Sequence, residues 1–127
     1  MDYAQIINGL AVKCGLPPPD TATGAVVIDF NGIAVSFIHN ASNGAILLHA
    51  EIGEALGGSG GAVARDMLEA NAALHERQGA VLCQDPETKA FAVIRSIPVV
   101  AAEPDAMLEV VGDLVKTAAS WRERLVR

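Results

Sequence analysis

The stretch of this sequence with the most obvious chemical potential is LGGSGGAVARDMLEAN, Leu56 to Asn71, where glycines and a serine run straight into a helical pattern. Backbone N–H groups at such a junction can cradle a phosphate. A Walker loop needs GxxxxGK[ST], and here the lysine and hydroxyl are missing, with Arg65 the nearest base. The dinucleotide pattern GxGxxG fails as well. Gly58 and Gly60 would require a small third residue where Val63 stands, and the preceding strand belongs to an antiparallel meander rather than a βαβ unit. Gly57 to Gly61 therefore reads as a spacer between a strand and a helix.

The remaining reactive side chains are scattered. His39 and His49 flank the turn NASNG, but a hairpin centred there pairs position 39 with about 45, which leaves the two imidazoles too far apart for one ion. His75 falls at the end of a helix, where a partial positive charge suits the macrodipole. Cys14 and Cys83 lie in apolar patterns without a CxxC partner and read as free thiols behaving as small hydrophobes. Glu51 with Glu54 and Asp66 with Glu69 have the spacing of solvated faces. There is no GxSxG elbow. The expectation is no catalytic residue, no metal and no cofactor.

Composition narrows the partners. A formal net charge of −6, with nine basic residues spread along 127, argues against nucleic acid, and aromatics at 4% offer few stacking platforms. No apolar run approaches the roughly 20 residues that span a bilayer. The opening MDYAQIINGL has an acid where a secretory signal needs base, so a cytoplasmic location without membrane insertion is expected. The length suits a single domain over residues 1–127, and 51% apolar residues are enough for one core.

The elements follow from periodicity. Tyr3, Ile6, Ile7, Leu10 and Cys14 recur at helical spacing, and Gly15 with Pro17, Pro18 and Pro19 ends that helix. Val26, Ile28 and Phe30 alternate up to Asn31-Gly32, the strongest short hairpin signal. Ile33, Val35 and Phe37 share one face of a second strand, and Ile46, Leu48, Ala50 and Ile52 one face of a third. Apolar residues occupy both faces of this meander, more than a sheet with one wet side requires, so a partner is expected to cover part of the second. Val63, Met67, Ala70 and Leu74 mark a second helix, the turn DPETK a second hairpin, and Met107, Val111, Leu114, Ala118, Trp121 and Leu125 a last helix from Pro104. The fold class is α+β, in the order α-β-β-β-α-β-β-α.

At the second helix and hairpin the chain becomes specific. MLEANAALHERQGAVLCQDPETKAFAVIRSIPV resembles the type III secretion chaperones of the CesT/Tir-chaperone family, which share a LLEAN-like segment, a glycine-started strand and a DPETG-like turn. CGLPPP, IDFNGIAVSF and the closing LVKTAASWRERL are similar to corresponding segments of that family. Lys89 stands where many members have glycine, and GGSGG where relatives often have a leucine-containing loop. The resemblance implies a non-enzymatic cytosolic homodimer that binds a segment near the N-terminus of a secreted effector in extended form and keeps it soluble and competent for export. A protein-binding module of the same fold without a role in secretion is the alternative. In the family the second helix and fourth strand tend to form the dimer contact, which makes Met67, Leu68, Asn71, Leu74, Val81 and Cys83 the candidates here. For effector contact the candidates are Ile6, Leu10, Val35, Phe37, Ile46 and Leu48.

Overall fold

The first helix starts where Asp2 can cap it. In the computed structural model, which describes residues 1–55, 58 and 60–125, an Asp2 carboxylate oxygen accepts from the Gln5 N–H at 2.9 Å and the Gln5 side chain accepts from the Asp2 N–H at 2.9 Å. This reciprocal pair is a capping box. Helix α1, Tyr3–Lys13, buries Tyr3, Ile6, Ile7 and Leu10, and stops before Gly15 and the proline run. The Tyr3 hydroxyl donates to the Phe37 carbonyl at 2.6 Å, and burial pushes its pKa up.

Five strands follow the expected order: β1 Ala25–Phe30, β2 Ile33–Asn40, β3 Ala45–Gly53, β4 Val81–Gln84 and β5 Phe91–Pro98. Helix α2, Gly60–Gln78, lies between β3 and β4, and a single 3-10 turn at Val99–Ala101 leads into α3, Pro104–Leu125. Each strand pairs antiparallel with its neighbours in the spatial order β1-β2-β3-β5-β4, so β1 and β4 are the two edges. Asn31 and Gly32 both have positive φ, 54° and 89°, as a type I′ turn requires, and Phe30 pairs with Ile33 across it. The second turn is one residue longer than expected: Asn40 pairs with Ala45 and His39 with Ile46. His39 stacks on Tyr3, with ring centroids 4.9 Å apart.

Register sorts the side chains into two faces. Val26, Phe37 and Leu48 align across three strands, as do Ile28, Val35, Ala50, Val93 and Leu82 across all five, and all of these are buried. Met107, Val111, Leu114 and Ala118 of α3 join the same core, together with the apolar stripe of α1. The opposite face carries Val27, Ile38, Leu47, Ile94 and Val81, and it is left partly open, with Val27 65% exposed. The expected apolar excess on that face is therefore present. Helices α1 and α3 approach each other closely at Gly9, where a Cβ would come within 2.7 Å of the Pro104 ring.

Two local features carry clear energetic consequences. The Arg122 guanidinium, near the end of α3, donates to the carbonyls of Ile52 at 2.8 Å, Gly32 at 2.9 Å and Glu51 at 2.9 Å. One cation thereby ties the β1–β2 turn and the end of β3 to the last helix. Hydrogen bonds from charged donors are the stronger kind. Arg122→Ala is expected to lower stability by about 2 kcal/mol in urea titration, while Arg122→Lys recovers only part because one ammonium cannot reproduce the planar fork. At the opposite edge of the sheet, Asp85 organises the β4–β5 turn by accepting from the N–H groups of Glu87 at 2.8 Å and Thr88 at 3.2 Å. Those two bonds hold its carboxyl below the ordinary range. The turn forces Lys89 to φ 65°, a left-handed conformation that a side chain disfavours. Lys89→Gly should raise stability by about 0.5–1 kcal/mol, measured as a shift in denaturation midpoint at unchanged slope.

Candidate functional site

Three concavities bear on function, and the glycine run lies beside the first. Gly58, Gly60 and Gly61 line an open depression of about 540 Å³ together with Glu54, Gln84 and Lys89. Gly57 and Ser59 of that run lie outside the described residues. One lysine and one carboxylate are among the residues that line it. Among the described residues no cluster of His, Cys, Asp or Glu is arranged to hold a metal. His49 sits opposite Ser36 on the sheet, several pairs away from His39.

The second concavity runs along edge strand β1. Ala11 from α1, Leu16, Pro17, Pro18 and Pro19 from the rigid exit, and Val27, Ile28 and Asp29 from β1 line a mostly apolar groove of about 380 Å³. The prolines fix the chain beside the sheet without offering N–H donors, and Asp29 adds a carboxylate to the otherwise apolar lining. Leu16 and Val27 remain 41% and 65% exposed. The backbone of β1 adds a row of outward-facing polar groups. His39 donates to the Gly24 carbonyl at 2.7 Å and Phe30 pairs with Ile33 across a two-residue turn, so positions 24, 26, 28 and 30 bond inward to β2. Ala25, Val27 and Asp29 consequently point their N–H and C=O groups off the sheet. Thr23 Oγ1 already engages Ala25, accepting from its N–H at 3.3 Å and donating to its carbonyl at 3.0 Å. Among the described residues no side chain bonds the Val27 backbone.

The third concavity lies at the opposite edge. Ala64, Met67 and Leu68 of α2 face Leu82 and Cys83 of β4 and Phe91 of β5 around a cleft of about 190 Å³. Leu68 is 74% exposed. Burial, and secondarily the Asp85 carboxylate, push the Cys83 thiol pKa up, which keeps it protonated and poorly nucleophilic. The structure thus brings Met67, Leu68 and Cys83 together, with Val81 on the same sheet face as Cys83. Met67 and Leu74 are also core residues, and the Asn71 side chain is occupied with the Leu82 backbone.

The other six candidates require correction. Ile6, Leu10, Val35, Phe37, Ile46 and Leu48 are all 0% exposed. They sit between the sheet and helices α1 and α3 and fill the core of one chain, so they present no surface to a partner. Alternation identified the inner face correctly, but that face is consumed by the molecule's own helices. The residues that do line an accessible apolar groove, Leu16, Pro17, Pro19 and Val27, include the off-phase position of β1 and the proline run that reads as a helix stop.

A family model described as the Tir chaperone protein (CesT) family matches residues 5–122. The chain belongs to the Tir chaperone protein (CesT) family. Solved structures agree on the fold. A chain from the ExsC–ExsE complex superposes with a TM-score of 0.82 at 18% identity, covering 98% of this chain and 97% of that one. A chain from the HopA1–SchA chaperone–effector complex gives 0.77 at 15% identity, with 95% and 93% covered. A chain from the Yersinia pestis type III secretion chaperone SycH in complex with a stable fragment of YscM2 gives 0.71 at 13%, with 94% and 98% covered. No curated protein matches the sequence. In this CesT-family chain no described helix is long and apolar enough to cross a membrane.

Proposed function

We propose that this chain is a cytoplasmic, non-enzymatic chaperone that holds a segment near the N-terminus of a type III secreted effector in extended form, keeping it soluble and ready for export. Membership of the CesT family supports the chaperone role, and two of the similar structures are a chaperone–effector complex and a type III secretion chaperone bound to a fragment of another protein. The observation that carries the reading for this chain is the pairing, at one edge of the sheet, of an open backbone position at Val27 with the apolar groove beside it. A strand added there gains main-chain hydrogen bonds of low sequence selectivity, while its side chains enter the groove. That combination suits a client that must stay unfolded.

The decisive experiment is capture by the tagged full-length chain from the source cytosol, followed by partner identification and limited proteolysis. One dominant secreted protein, protected over an N-terminal segment of some tens of residues, is the expected result. A mixture without a protected segment would favour a general binding module.

Edge addition makes a sharper prediction. Proline is tolerated on edge strands where its missing N–H faces outward. Val27→Pro should therefore retain the far-ultraviolet circular dichroism of the parent and weaken partner binding at least about tenfold in calorimetry, the cost of roughly one lost hydrogen bond plus the ring's obstruction. Unchanged affinity in a folded Val27→Pro variant would remove β1 as the binding edge.

We also propose that the working unit is a homodimer formed through the α2 and β4 surface, where Leu68 stands exposed beside Met67 and Cys83. Leu68→Asp would place an unpaired carboxylate in that apolar contact. Light scattering should show a monomer for the folded variant, whereas an intact dimer would exclude Leu68 from the interface.

A further inference from the structure

We infer that Asn71 closes the β4 edge of the sheet to strand addition, leaving β1 as the edge open to a partner's backbone. The closure itself is independent of the proposed function; only the assignment of the partner to β1 rests on that reading. The register of β4 on β5 shows which groups are at stake. Val81 pairs with Ile94 and Cys83 with Ala92, and the Asp85 N–H closes the turn onto the Ala90 carbonyl at 2.9 Å. Positions 81, 83 and 85 therefore bond inward; Gln84 at the strand end faces off the sheet, and so does Leu82 at mid-strand, which turns its N–H and C=O away from it. In an ordinary edge strand these two groups would be a template for another chain.

Here both are taken by a single side chain. The Leu82 N–H donates to Asn71 Oδ1 at 2.6 Å, and Asn71 Nδ2 donates to the Leu82 carbonyl at 3.1 Å. A carboxamide carries one acceptor and one donor in a plane, so it reproduces the paired bonds that a residue of an adjacent strand would make. Aspartate supplies the acceptor and lacks the donor. Helix α2 holds Asn71 against this edge by packing Met67 and Leu74, on the turns either side, into the core. At β1 the corresponding device reaches only Ala25, through the Thr23 hydroxyl, and among the described residues no side chain bonds the Val27 backbone. The two edges thus differ by what a nearby side chain does to one outward residue. This role distinguishes Asn71 from the apolar residues around it, and it explains an amide at a position of α2 that faces a strand.

Amide hydrogen exchange and sedimentation of the full-length chain test this, with Asn71→Ala, Asn71→Asp and Leu68→Asp for comparison. In the wild type, and equally in Leu68→Asp where the proposed subunit contact is removed, the Leu82 amide should exchange about 100-fold more slowly than that of Val27, although both point off the sheet. Asn71→Ala should lose that protection in dilute solution and associate with rising concentration beyond the wild-type state, regaining Leu82 protection as it does so. Asn71→Asp should keep a protected Leu82 amide through its remaining acceptor. Equal exchange at Leu82 and Val27 in the wild type would overturn the inference, as would a folded Asn71→Ala that associates no more than its parent. Should Asn71→Ala fail to fold, the wild-type, Leu68→Asp and Asn71→Asp exchange rates decide the matter alone. Retained partner binding in Val27→Pro would refute the β1 reading while leaving the Leu82 comparison intact.

Discussion

The two-residue turn at Asn31-Gly32 sets the register of β1 on β2, and the rest of the molecule depends on that register. With Phe30 paired to Ile33, the even-numbered residues of β1 bond to β2 and turn their side chains onto α1 and α3. Odd-numbered residues are left with outward backbone groups and side chains on the open face. A slip of one residue would reverse both assignments at once. It would bury Asp29 and turn the inward hydrogen-bonding positions outward. The turn, the core and the open edge are consequences of one geometric choice.

The sheet also manages its two exposed edges differently, and this asymmetry organises the surface. At β4 a helix lies alongside, and its amide satisfies the outward residue, so what remains there is an apolar side-chain surface centred on Leu68. Such a surface suits packing against another folded copy. At β1 the neighbour is a proline-rich exit that shapes a groove without pairing the backbone, which suits an unfolded segment. The same chain thereby carries an apolar side-chain surface at one edge and outward backbone groups beside a groove at the other. Arg122 supports the second from behind, since its bonds to Gly32, Glu51 and Ile52 hold the turn that sets the edge.

Much of the fold was legible in the sequence because its signals are local. Asn31-Gly32, the proline stops, the alternation in three strands and the stripe on α3 each report a backbone preference or a burial periodicity that needs no distant residue. The Asn40–Ala45 turn came out one residue longer than the spacing suggested, because Asn40 and Asn43 side chains bond Ser42 and Ala45 and shape the loop locally. The candidate site was less legible. Periodicity marks an apolar residue as belonging to a face, but it does not say whether that face meets the molecule's own helices or a partner.

The sequence by itself determined the element order, the apolar inner face and the family, since each is written in neighbouring residues or in motifs of fixed spacing. Tertiary structure alone decided which edge stays open. Asn71 and Leu82 are 11 residues apart in sequence, and nothing in either residue type announces that the carboxamide of one will take both backbone groups of the other. Likewise Val27 becomes an accessible position only because helices cover the opposite face and the proline run packs beside it. Availability to a partner is what remains after the chain has satisfied itself, and that difference exists only once every internal contact is made.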